Sequence, residues 1–389
     1  MSDPAEASAP GELCLALGGG GARGAYQVGV LRAIAARYPD LEVPLLTGVS
    51  AGSINAAHLA NHTGSFGEKV EALVALWSDL TIDQVFRASP WALAGHLARW
   101  SLELSLLGGA GRSDRVRGLV DTAPLAGFLD RHLSCVGGRL PGIAENLAAG
   151  RLRAIALPTT SYATGRTVTW YEGRGVDPWE RADRCGRPGE LRLEHVLASS
   201  ALPLFFPAVE VEGRWYGDGG LRLTSPLAPA IHLGADRILA VSTRYGRSVD
   251  EAAEPDFEGY PPPAQVAGIL FNAIFLDLLD HDAAHLERIN GLLSKLPSGA
   301  ATPYREVGLL VVRPSIDIGQ LARRHEPMLP RTFRFLTRRL GTRRSRTGDL
   351  LSLVMFEPGY LQRLMDIGEQ DARARLDELA AFLAGEPAQ

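Results

Sequence analysis

Two stretches near the start of this chain each have the pattern of a strand, a tight glycine turn and a helix. Residues 18–24, Gly-Gly-Gly-Gly-Ala-Arg-Gly, directly follow the apolar run 13–17. Residues 48–52, Gly-Val-Ser-Ala-Gly, directly follow the run 43–47. Two consecutive strand–helix units predict a parallel or mixed sheet with helices on both faces. The expected fold class is therefore α/β.

The rest of the chain supplies further strands and helices around this start. Residues 1–12 have the composition of a loose tail, and residues 65–150 are mostly helical in pattern, with a glycine-rich break at 107–111. The strand and helix patterns that follow predict strands at 152–157, 167–171, 208–211, 238–242 and 307–312 and helices at 266–288 and 358–384.

Charge and composition narrow the classes of function. The formal net charge of −4 disfavours a nucleic-acid-binding protein, because phosphate contacts need a basic footprint. The cysteines at positions 14, 135 and 185 are few, odd in number and widely spaced, which suits a reducing compartment. Neither a secretory signal nor an apolar run of the roughly 20 residues that a bilayer requires is visible. We expect a cytoplasmic protein without a transmembrane helix.

The second turn offers a serine in the position of a nucleophile. Gly48 and Gly52 permit a sharp turn from strand to helix, because side chains there would collide with neighbouring strands, and the Ser50 hydroxyl is left exposed. The dipole and free N–H groups of the helix over residues 51–60 favour developing negative charge. The alternative is a chance match in a chain with 43 glycines. The strand before the motif and the helix after it favour the nucleophile.

The first turn also satisfies the dinucleotide-binding pattern Gly-x-Gly-x-x-Gly, over residues 19–24. A Rossmann site needs an acidic residue at the end of the second strand to hold the ribose. Here that strand ends at Val49 and is followed by Ser50, while Asp40 and Glu42 lie before it. The missing acid disfavours dinucleotide binding.

The same loop is suited to holding an oxyanion. Gly19, Gly20 and Gly21 present backbone N–H groups without side-chain obstruction, and Gly24 lies one turn into the helix that follows. Arg23 either adds positive charge or braces the loop through hydrogen bonds. Its planar, forked guanidinium favours the bracing role.

A serine nucleophile needs a base, and the histidines provide no clear candidate. His58, His195 and His232 fall in predicted helices, where we expect structural or solvated roles. His281 and His285 are one helical turn apart but have no evident third ligand. We therefore expect neither a metal nor another cofactor.

Asp218 is a better candidate for the base. Residues 215–220, Trp-Tyr-Gly-Asp-Gly-Gly, place it in a third glycine-rich turn, with Gly219 and Gly220 directly after it. The alternative is a plain Asp-Gly turn, which is common. Together with Ser50 and the first glycine loop, Asp218 is interpreted as the general base.

In this order the turns resemble those of the patatin-like phospholipases. The resemblance rests on Gly-Gly-Gly-Ala-Arg-Gly at 19–24, Gly-Val-Ser-Ala-Gly at 48–52, Ala-Ser-Ser-Ala-Leu-Pro-Leu-Phe-Phe-Pro at 198–207 and Asp-Gly-Gly at 218–220. It implies a three-layer α/β/α sandwich around a central, mostly parallel or mixed sheet, with a helical insertion and a helical C-terminal region. It also implies a catalytic domain over 13–245, with the insertion at about 65–150, and a region 246–389 that completes the core.

The resemblance further implies a mechanism. Ser50 would be the nucleophile and Asp218 its activator in a Ser–Asp dyad, with Gly19–Gly21 as the oxyanion hole and Arg23 in support. Such a serine hydrolase cleaves fatty-acyl esters of phospholipids or lysophospholipids through an acyl-enzyme, without a metal or cofactor. The alternatives at this point are a carboxylesterase for short soluble esters and a non-enzymatic lipid-binding or dinucleotide-binding module.

A basic segment suggests how such an enzyme reaches lipid. Arg323–Arg346 holds nine arginines against one acidic residue, Glu326, with Phe333, Phe335 and Leu336 among them. The hypothesis is peripheral docking on anionic lipid, at about 1 kcal/mol for each basic residue near the surface. The alternative is a solvated basic loop, or a patch that pairs with the acidic C-terminal helix.

Overall fold

The computed structural model describes residues 11–87, 118, 120–253, 259–261, 263–297, 300–330, 334 and 348–385. In this part of the chain, nine strands form one sheet. The strands are β1 (Leu13–Leu17), β2 (Leu45–Gly48), β3 (Ala154–Ser161), β4 (Thr167–Gly173), β5 (Arg184–Pro188), β6 (Val209–Val211), β7 (Arg214–Asp218), β8 (Arg237–Val241) and β9 (Gly308–Val312).

The sheet is mixed, with a parallel centre. Its main order is β5-β4-β3-β2-β1-β8-β9, and β7, paired with β6, also joins β3. The pairs β3–β2, β2–β1, β1–β8 and β8–β9 are parallel, whereas β4 and β7 run antiparallel to β3. The carboxyl ends of β1, β2 and β8 therefore meet at one edge, which is where ligands bind in open α/β sheets.

Helices cover both faces of the sheet. Those of the described residues are α1 (Gly24–Arg37), α2 (Ala51–Asn61), α3 (Phe66–Asp79), α4 (Ile82–Val85), α5 (Ala123–His132), α6 (Pro141–Ala148), α7 (Leu193–Ser199), α8 (Ala228–His232), α9 (Val249–Ala253), α10 (Pro263–Phe275), α11 (Leu278–Leu293), α12 (Ile318–His325), α13 (Asp349–Val354), α14 (Pro358–Ala374) and α15 (Leu376–Ala384).

Alternation along the strands divides the core into two parts. Leu15 and Leu17 of β1 point to one face and join the larger cluster, with α1, α2, α3 and α14. Cys14 and Ala16 point to the other face and join a smaller cluster with Leu279 and other residues of α8 and α11. The result is three layers, helices on sheet on helices. The expected α/β/α sandwich around a mixed sheet is confirmed.

The structure differs from the expected helices in two places. The single helix expected over 266–288 is wrong, because α10 closes with hydrogen bonds from the amides of Leu276 and Asp277 to the Asn272 carbonyl. The Asp277 carboxylate at the break pairs with Arg244 at 2.6 Å.

The single helix expected over 358–384 is also wrong. The chain forms two helices that meet at Arg375. The Arg375 guanidinium donates to the Val311 carbonyl at 2.7 Å and pairs with Glu378. In both places a long-range contact of a charged side chain accompanies the break.

Part of the region expected to be helical lies outside the described residues. Helices α3, α4, α5 and α6 fall within 65–150, and residues 88–117 of that stretch are not described. In the described ranges, no helix is both long and apolar enough to cross a bilayer.

Candidate active site

One edge of β3 brings two distant turns together. Along this edge β3 pairs first with β2, where Thr47 lies opposite Ala156, and then with β7, where Asp218 lies opposite Thr159. Because β2 is parallel to β3 and β7 is antiparallel to it, the carboxyl ends of β2 and β7 point at each other. This arrangement brings Ser50 and Asp218 close together. Ser50 lies just past the end of β2, and Asp218 lies at the end of β7.

Ser50 adopts a backbone conformation that only a tightly enclosed turn can hold. Its φ is 55° and its ψ is −129°, at the N-cap of α2. A Cβ on Gly48 would lie 2.1 Å from the Gly52 carbonyl oxygen, and one on Gly52 would lie 2.1 Å from the Leu17 carbonyl oxygen. The two motif glycines therefore allow β1, β2 and α2 to approach closely enough to form the turn.

Three buried serines hold the Ser50 backbone in place. The Ser50 amide donates to Ser199 Oγ at 3.3 Å, and Ser199 Oγ donates to the Pro158 carbonyl at 2.7 Å. The Ser50 carbonyl accepts from Ser53 Oγ at 2.6 Å and from Ser200 Oγ at 3.1 Å. These contacts offset the cost of a strained conformation, which is of order 1–3 kcal/mol.

Ser199 and Ser200 belong to the sequence stretch 198–207 that carried the family resemblance. Sequence reasoning gave them no role of their own. The pair of adjacent serines before an apolar run was the available signal, but which backbone groups they bind depends on the packing of α7 against α2.

Asp218 is completely buried at the end of β7. Its Oδ1 accepts a hydrogen bond from the Gly220 amide at 2.8 Å, and no described residue forms a regular hydrogen bond with its Oδ2. Burial raises the pKa of the Asp218 carboxyl to about 7, while the nearby Ser50 hydroxyl and the Gly220 amide act in the opposite direction. A carboxyl with this pKa exists in both protonation states near neutral pH.

The first glycine loop passes directly beside Ser50. A Cβ on Gly19 would lie 3.1 Å from the Ser50 Cβ, and the φ angles of Gly20 and Gly21 are 145° and 55°. The loop is fixed through its carbonyl oxygens, because Gln27 donates to that of Gly18 at 2.7 Å and Thr243 to that of Gly19 at 2.6 Å.

Arg23 ties this loop to the C-terminal region. The buried guanidinium donates to Ser352 Oγ at 2.8 Å and to Asp349 Oδ1 at 3.0 Å, and both partners lie in α13. A Cβ on Gly21 would lie 2.1 Å from the Leu353 carbonyl oxygen, so α13 rests directly on the loop. Sequence reasoning missed Asp349 and Ser352, since nothing local marks a short helix more than 300 residues away as the partner of Arg23.

The site opens into an apolar cavity, which we call the Ser50 cavity. It is bounded by Gly20, Gly21 and Ser50 on one side. Apart from Ser200, the rest of its wall is apolar and includes Ile54, Trp77, Leu125, Leu202, Phe206 and Phe356. Apolar walls with a few convergent polar groups are the usual character of a ligand pocket.

The histidines considered as bases make other contacts. His58 Nε2 is 3.0 Å from the Lys69 carbonyl, and His195 Nδ1 accepts from the Arg192 amide at 3.0 Å. Burial lowers the pKa of both imidazoles to about 4, which leaves them neutral at pH 7. His232 stacks on Trp179 with ring centroids 4.3 Å apart. These contacts are structural.

The basic segment lies largely outside the described residues. Of its nine arginines, Arg323 and Arg324 lie in the last turn of α12, and Arg334 donates to the Pro327 carbonyl at 3.0 Å. Residues 331–333 and 335–347 are not described. Membrane docking by Arg323–Arg346 stays a prediction.

The fold defines a three-layer α/β/α protein. A sequence model of the patatin-like phospholipase family matches residues 15–231, more than half of the chain. The chain belongs to that family. The match spans the glycine loop, the serine turn and Asp218.

Three solved structures are similar to this chain at low sequence identity. VipD from Legionella pneumophila is 12% identical, with 95% of this chain and 67% of that chain covered and a TM-score of 0.38. Human GIVD cytosolic phospholipase A2 in complex with methyl gamma-linolenyl fluorophosphonate is 15% identical, with 97% and 60% covered and a TM-score of 0.41. The type III effector ExoU of Pseudomonas aeruginosa is 16% identical, with 95% and 53% covered and a TM-score of 0.36. The chain thus spans between about half and two thirds of these proteins, and no curated protein sequence matches it.

Proposed function

We propose that this protein is a serine hydrolase of the phospholipase A or lysophospholipase type, which cleaves fatty-acyl esters with a Ser50–Asp218 dyad. The observation that carries the proposal is the meeting of β2 and β7 on one edge of β3. That meeting puts a buried carboxyl with a pKa of about 7 beside the hydroxyl of a strained serine turn. A carboxylate with this pKa is basic enough to accept a serine proton at neutral pH.

In the first half-reaction, the Asp218 carboxylate accepts the Ser50 proton as Oγ attacks the ester carbonyl carbon. The carbonyl π electrons move to its oxygen and form the tetrahedral oxyanion. When this collapses, the bond to the alcohol oxygen breaks, and the alcohol leaves with the proton from Asp218. The acyl group remains on Ser50 as an ester.

In the second half-reaction, water takes the place of the alcohol. Asp218 accepts a proton from the water while the water oxygen attacks the carbonyl carbon of the acyl-enzyme. A second tetrahedral oxyanion forms. Its collapse releases the fatty acid and returns the proton to Ser50 Oγ. Nucleophile and base are thereby regenerated without a metal or another cofactor.

The backbone amides of Gly19, Gly20 and Gly21 are the proposed donors to the oxyanion. Gly19 lies against Ser50, and the loop carbonyls are occupied by Gln27 and Thr243, which fixes the peptide planes. Loss of one such donor in a comparable hydrolase costs about 2.7–4 kcal/mol of transition-state stabilisation. Arg23 supports the loop through α13, where it is held by Asp349 and Ser352.

The apolar lining of the Ser50 cavity suits the fatty-acyl part of a lipid ester. The walls of this cavity, which include Ile54 and Phe356, are almost wholly apolar. Each methylene that moves from water into such a wall contributes about 0.8 kcal/mol.

Labelling with a fluorophosphonate tests the nucleophile and the base. We expect the native chain to label at Ser50, Ser50→Ala not to label, and Asp218→Asn to label much more slowly. The matched controls are Ser294→Ala and Asp177→Asn, which change exposed residues away from the site. Hydrolysis of phosphatidylcholine vesicles and of a short nitrophenyl ester by the same variants separates lipid hydrolysis from short-ester hydrolysis. Full labelling of Ser50→Ala would show that the nucleophile is another residue.

A further inference from the structure

Three buried polar side chains lie behind the glycine loop and are joined by hydrogen bonds. The Trp77 indole N–H donates to Asn55 Oδ1 at 2.7 Å, and Asn55 Nδ2 donates to Gln27 Oε1 at 2.9 Å. Asn55 and Gln27 are fully buried, and Trp77 is almost fully buried. We call these three side chains the Trp77 network. Because they are shielded from water, their polar atoms depend on partners within the protein.

The direction of the hydrogen bonds in the Trp77 network is determined at one end. An indole nitrogen donates and cannot accept, so the Asn55 carboxamide must turn its oxygen toward Trp77. The Asn55 NH2 group then faces Gln27, which must present its own oxygen to Asn55 and its NH2 group to the glycine loop. A single N–H group therefore sets the orientation of both carboxamides.

The network reaches both ends of the glycine loop. Gln27 Nε2 donates to the Gly18 carbonyl at 2.7 Å, where the loop begins. Asn55 Nδ2 donates to the Gly24 carbonyl at 3.2 Å, where the loop ends. The Val241 carbonyl at the end of β8 accepts from Gln27 Nε2 and from the Gly18 amide, both at 3.3 Å. One carboxamide thus holds the start of the loop, and the other holds its end.

The contact of Gln27 with a carbonyl also determines the direction of an N–H group. The Gly18 carbonyl and the Gly19 N–H belong to one planar peptide unit, and in a trans peptide they point in opposite directions. A donor that holds the Gly18 oxygen therefore sets the direction of the Gly19 N–H, which is the first proposed donor to the oxyanion. Gly19 is also the loop residue that packs on Ser50, since an added Cβ would lie 3.1 Å from the Ser50 Cβ.

Trp77 connects this network to the Ser50 cavity. Its ring forms part of the cavity wall and packs on Gly24, where an added Cβ would lie 2.8 Å from Cη2. The same side chain therefore borders the space proposed for the acyl group and orients the two carboxamides behind the loop.

We propose that Gln27 and Asn55 are positioning residues that direct the Gly19 N–H toward the oxyanion. Trp77 fixes their orientation from the wall of the Ser50 cavity. This assignment rests on the proposed function, which it deepens by naming the side chains that hold the oxyanion donors in place. If the network only stabilised the fold, changes in it would lower the unfolding free energy without a selective effect on kcat.

The variant Asn55→Asp tests the proposal. It keeps the shape of the side chain and can still accept from Trp77, but its carboxylate has no proton to donate to Gln27. We expect kcat for phosphatidylcholine vesicles to fall by about 10- to 100-fold and KM to change by less than about twofold, because misplaced oxyanion donors affect the transition state more than binding. A kcat within about twofold of that of the native chain would overturn the proposal.

Asn146→Asp is the matched control. Asn146 is also fully buried, and its Nδ2 donates to the carbonyls of Ala60 and His62 at 2.7 Å and 3.0 Å, at the other end of α2. We expect this variant to lose stability but to keep kcat within about twofold of the native value. An equal loss of kcat in both variants would show a general effect of the buried acid and would contradict the proposal.

Gln27→Met tests the same step when Asn55→Asp does not fold. Methionine has a similar length but leaves the Gly18 carbonyl without its side-chain donor. We expect the same selective loss of kcat, and an unchanged kcat would overturn the proposal.

The oxyanion can also be observed directly in an adduct with an alkyl trifluoromethyl ketone labelled with ¹³C at its carbonyl. Ser50 Oγ adds to the ketone carbon, its proton passes to Asp218, and the carbonyl π electrons move to the oxygen. We expect the pKa of this hemiketal, read from the ¹³C chemical shift against pH, to be higher in Asn55→Asp than in the native chain and unchanged in Asn146→Asp. The native pKa in Asn55→Asp would contradict the proposal.

Amide hydrogen exchange keeps this proposal apart from the proposed hydrolysis. If the native chain cleaves no ester and a fluorophosphonate does not label Ser50, the proposed function is wrong. The loop amides at Gly19, Gly20 and Gly21 should nevertheless exchange faster in Asn55→Asp than in Asn146→Asp, because only the first variant releases the loop. Equal exchange in the two variants would show that the Trp77 network does not hold the loop, even if hydrolysis is observed.

Discussion

The hydroxyl of Ser199 connects the backbone of Ser50 to β3. It accepts from the Ser50 amide at 3.3 Å and donates to the Pro158 carbonyl at 2.7 Å, at the point on β3 where pairing passes from β2 to β7. One buried hydroxyl therefore fixes the proposed nucleophile relative to the strand that positions Asp218.

The variant Ser199→Ala tests this positioning. It leaves a buried amide and a buried carbonyl without their partner, so we expect a loss of about 1–3 kcal/mol in unfolding free energy. We also expect kcat to fall by about tenfold with little change in KM, because a displaced nucleophile affects the reaction more than binding. Steady-state kinetics and thermal unfolding measure both effects. Ser294→Ala is the control, and an unchanged kcat in a destabilised Ser199→Ala would reduce the residue to a purely structural role.

Gly52→Ala tests the close approach that forms the serine turn. The new methyl group would lie 2.1 Å from the Leu17 carbonyl oxygen, and backbone cannot move aside as easily as a side chain. Overpacking of this kind costs about 1–3 kcal/mol or more, and we expect lower stability together with loss of fluorophosphonate labelling. The control is Gly246→Ala, where the added methyl meets no atom within 4 Å. A labelling rate like that of the native chain would show that the turn tolerates a side chain.

The pair between Arg23 and Asp349 links the glycine loop to α13. Asp349→Ala leaves the buried guanidinium of Arg23 without its carboxylate, and breaking a buried pair costs about 3–5 kcal/mol. We expect reduced stability and a lower kcat, because the loop with the proposed oxyanion donors loosens. A double-mutant cycle with Arg23→Ala, read by denaturant unfolding, isolates the coupling between the two residues. Additive effects would show that they stabilise the loop independently.

Local steric rules explain why the two N-terminal turns could be predicted from the sequence. Gly48 and Gly52 indicate the serine turn, because any side chain at these positions would contact backbone atoms. The strand–turn–helix pattern predicts the elements on either side of the turn. The sequence also predicts a glycine-rich turn that contains Asp218. In the structure, Asp218 is the last residue of β7. Short strands with exposed charged residues, such as Arg214–Asp218, carry too weak an alternation to be found.

The relations between distant parts of the chain could not be predicted in the same way. Asp218 reaches Ser50 because β7 pairs antiparallel with β3, and the contact between Thr160 and the Asp218 carbonyl spans 58 residues. The bond from Arg23 to Asp349 spans 326 residues. Such contacts depend on how strands pair and helices pack, which a single sequence does not specify.

The basic segment Arg323–Arg346 leads to a prediction that depends on charge alone. Replacing Arg338, Arg339, Arg343 and Arg344 by glutamine removes four positive charges from it. At about 1 kcal/mol for each residue near an anionic surface, we expect a large loss of binding to phosphatidylserine-containing vesicles and no change with neutral vesicles. Vesicle sedimentation at low and high salt measures this. Equal binding of the variant and the native chain to anionic vesicles would contradict the docking hypothesis.

The raised pKa of Asp218 predicts opposite pH dependences for activity and stability. Because the carboxylate is the proposed base, kcat/KM should rise with pH and level off above the pKa of about 7. Between the unfolded-state pKa near 4 and this value, the folded protein holds the proton and the unfolded chain does not. The contribution of this group to the unfolding free energy is therefore full at low pH and is lost as the pH rises through about 7, by roughly 4 kcal/mol at most.

Asp218→Asn separates these two effects. The amide cannot ionise, so the variant should be inactive yet more stable than the native chain at pH 8, with the difference shrinking toward pH 5. Denaturant unfolding at several pH values measures the stability, and Asp177→Asn, at an exposed position, is the control. In that case the charge on the proposed base lowers the stability of the fold, although the reaction requires it, because removing the charge stabilises the fold. A native chain whose stability rises between pH 5 and pH 8 relative to Asp218→Asn would show that the pKa of Asp218 is not raised.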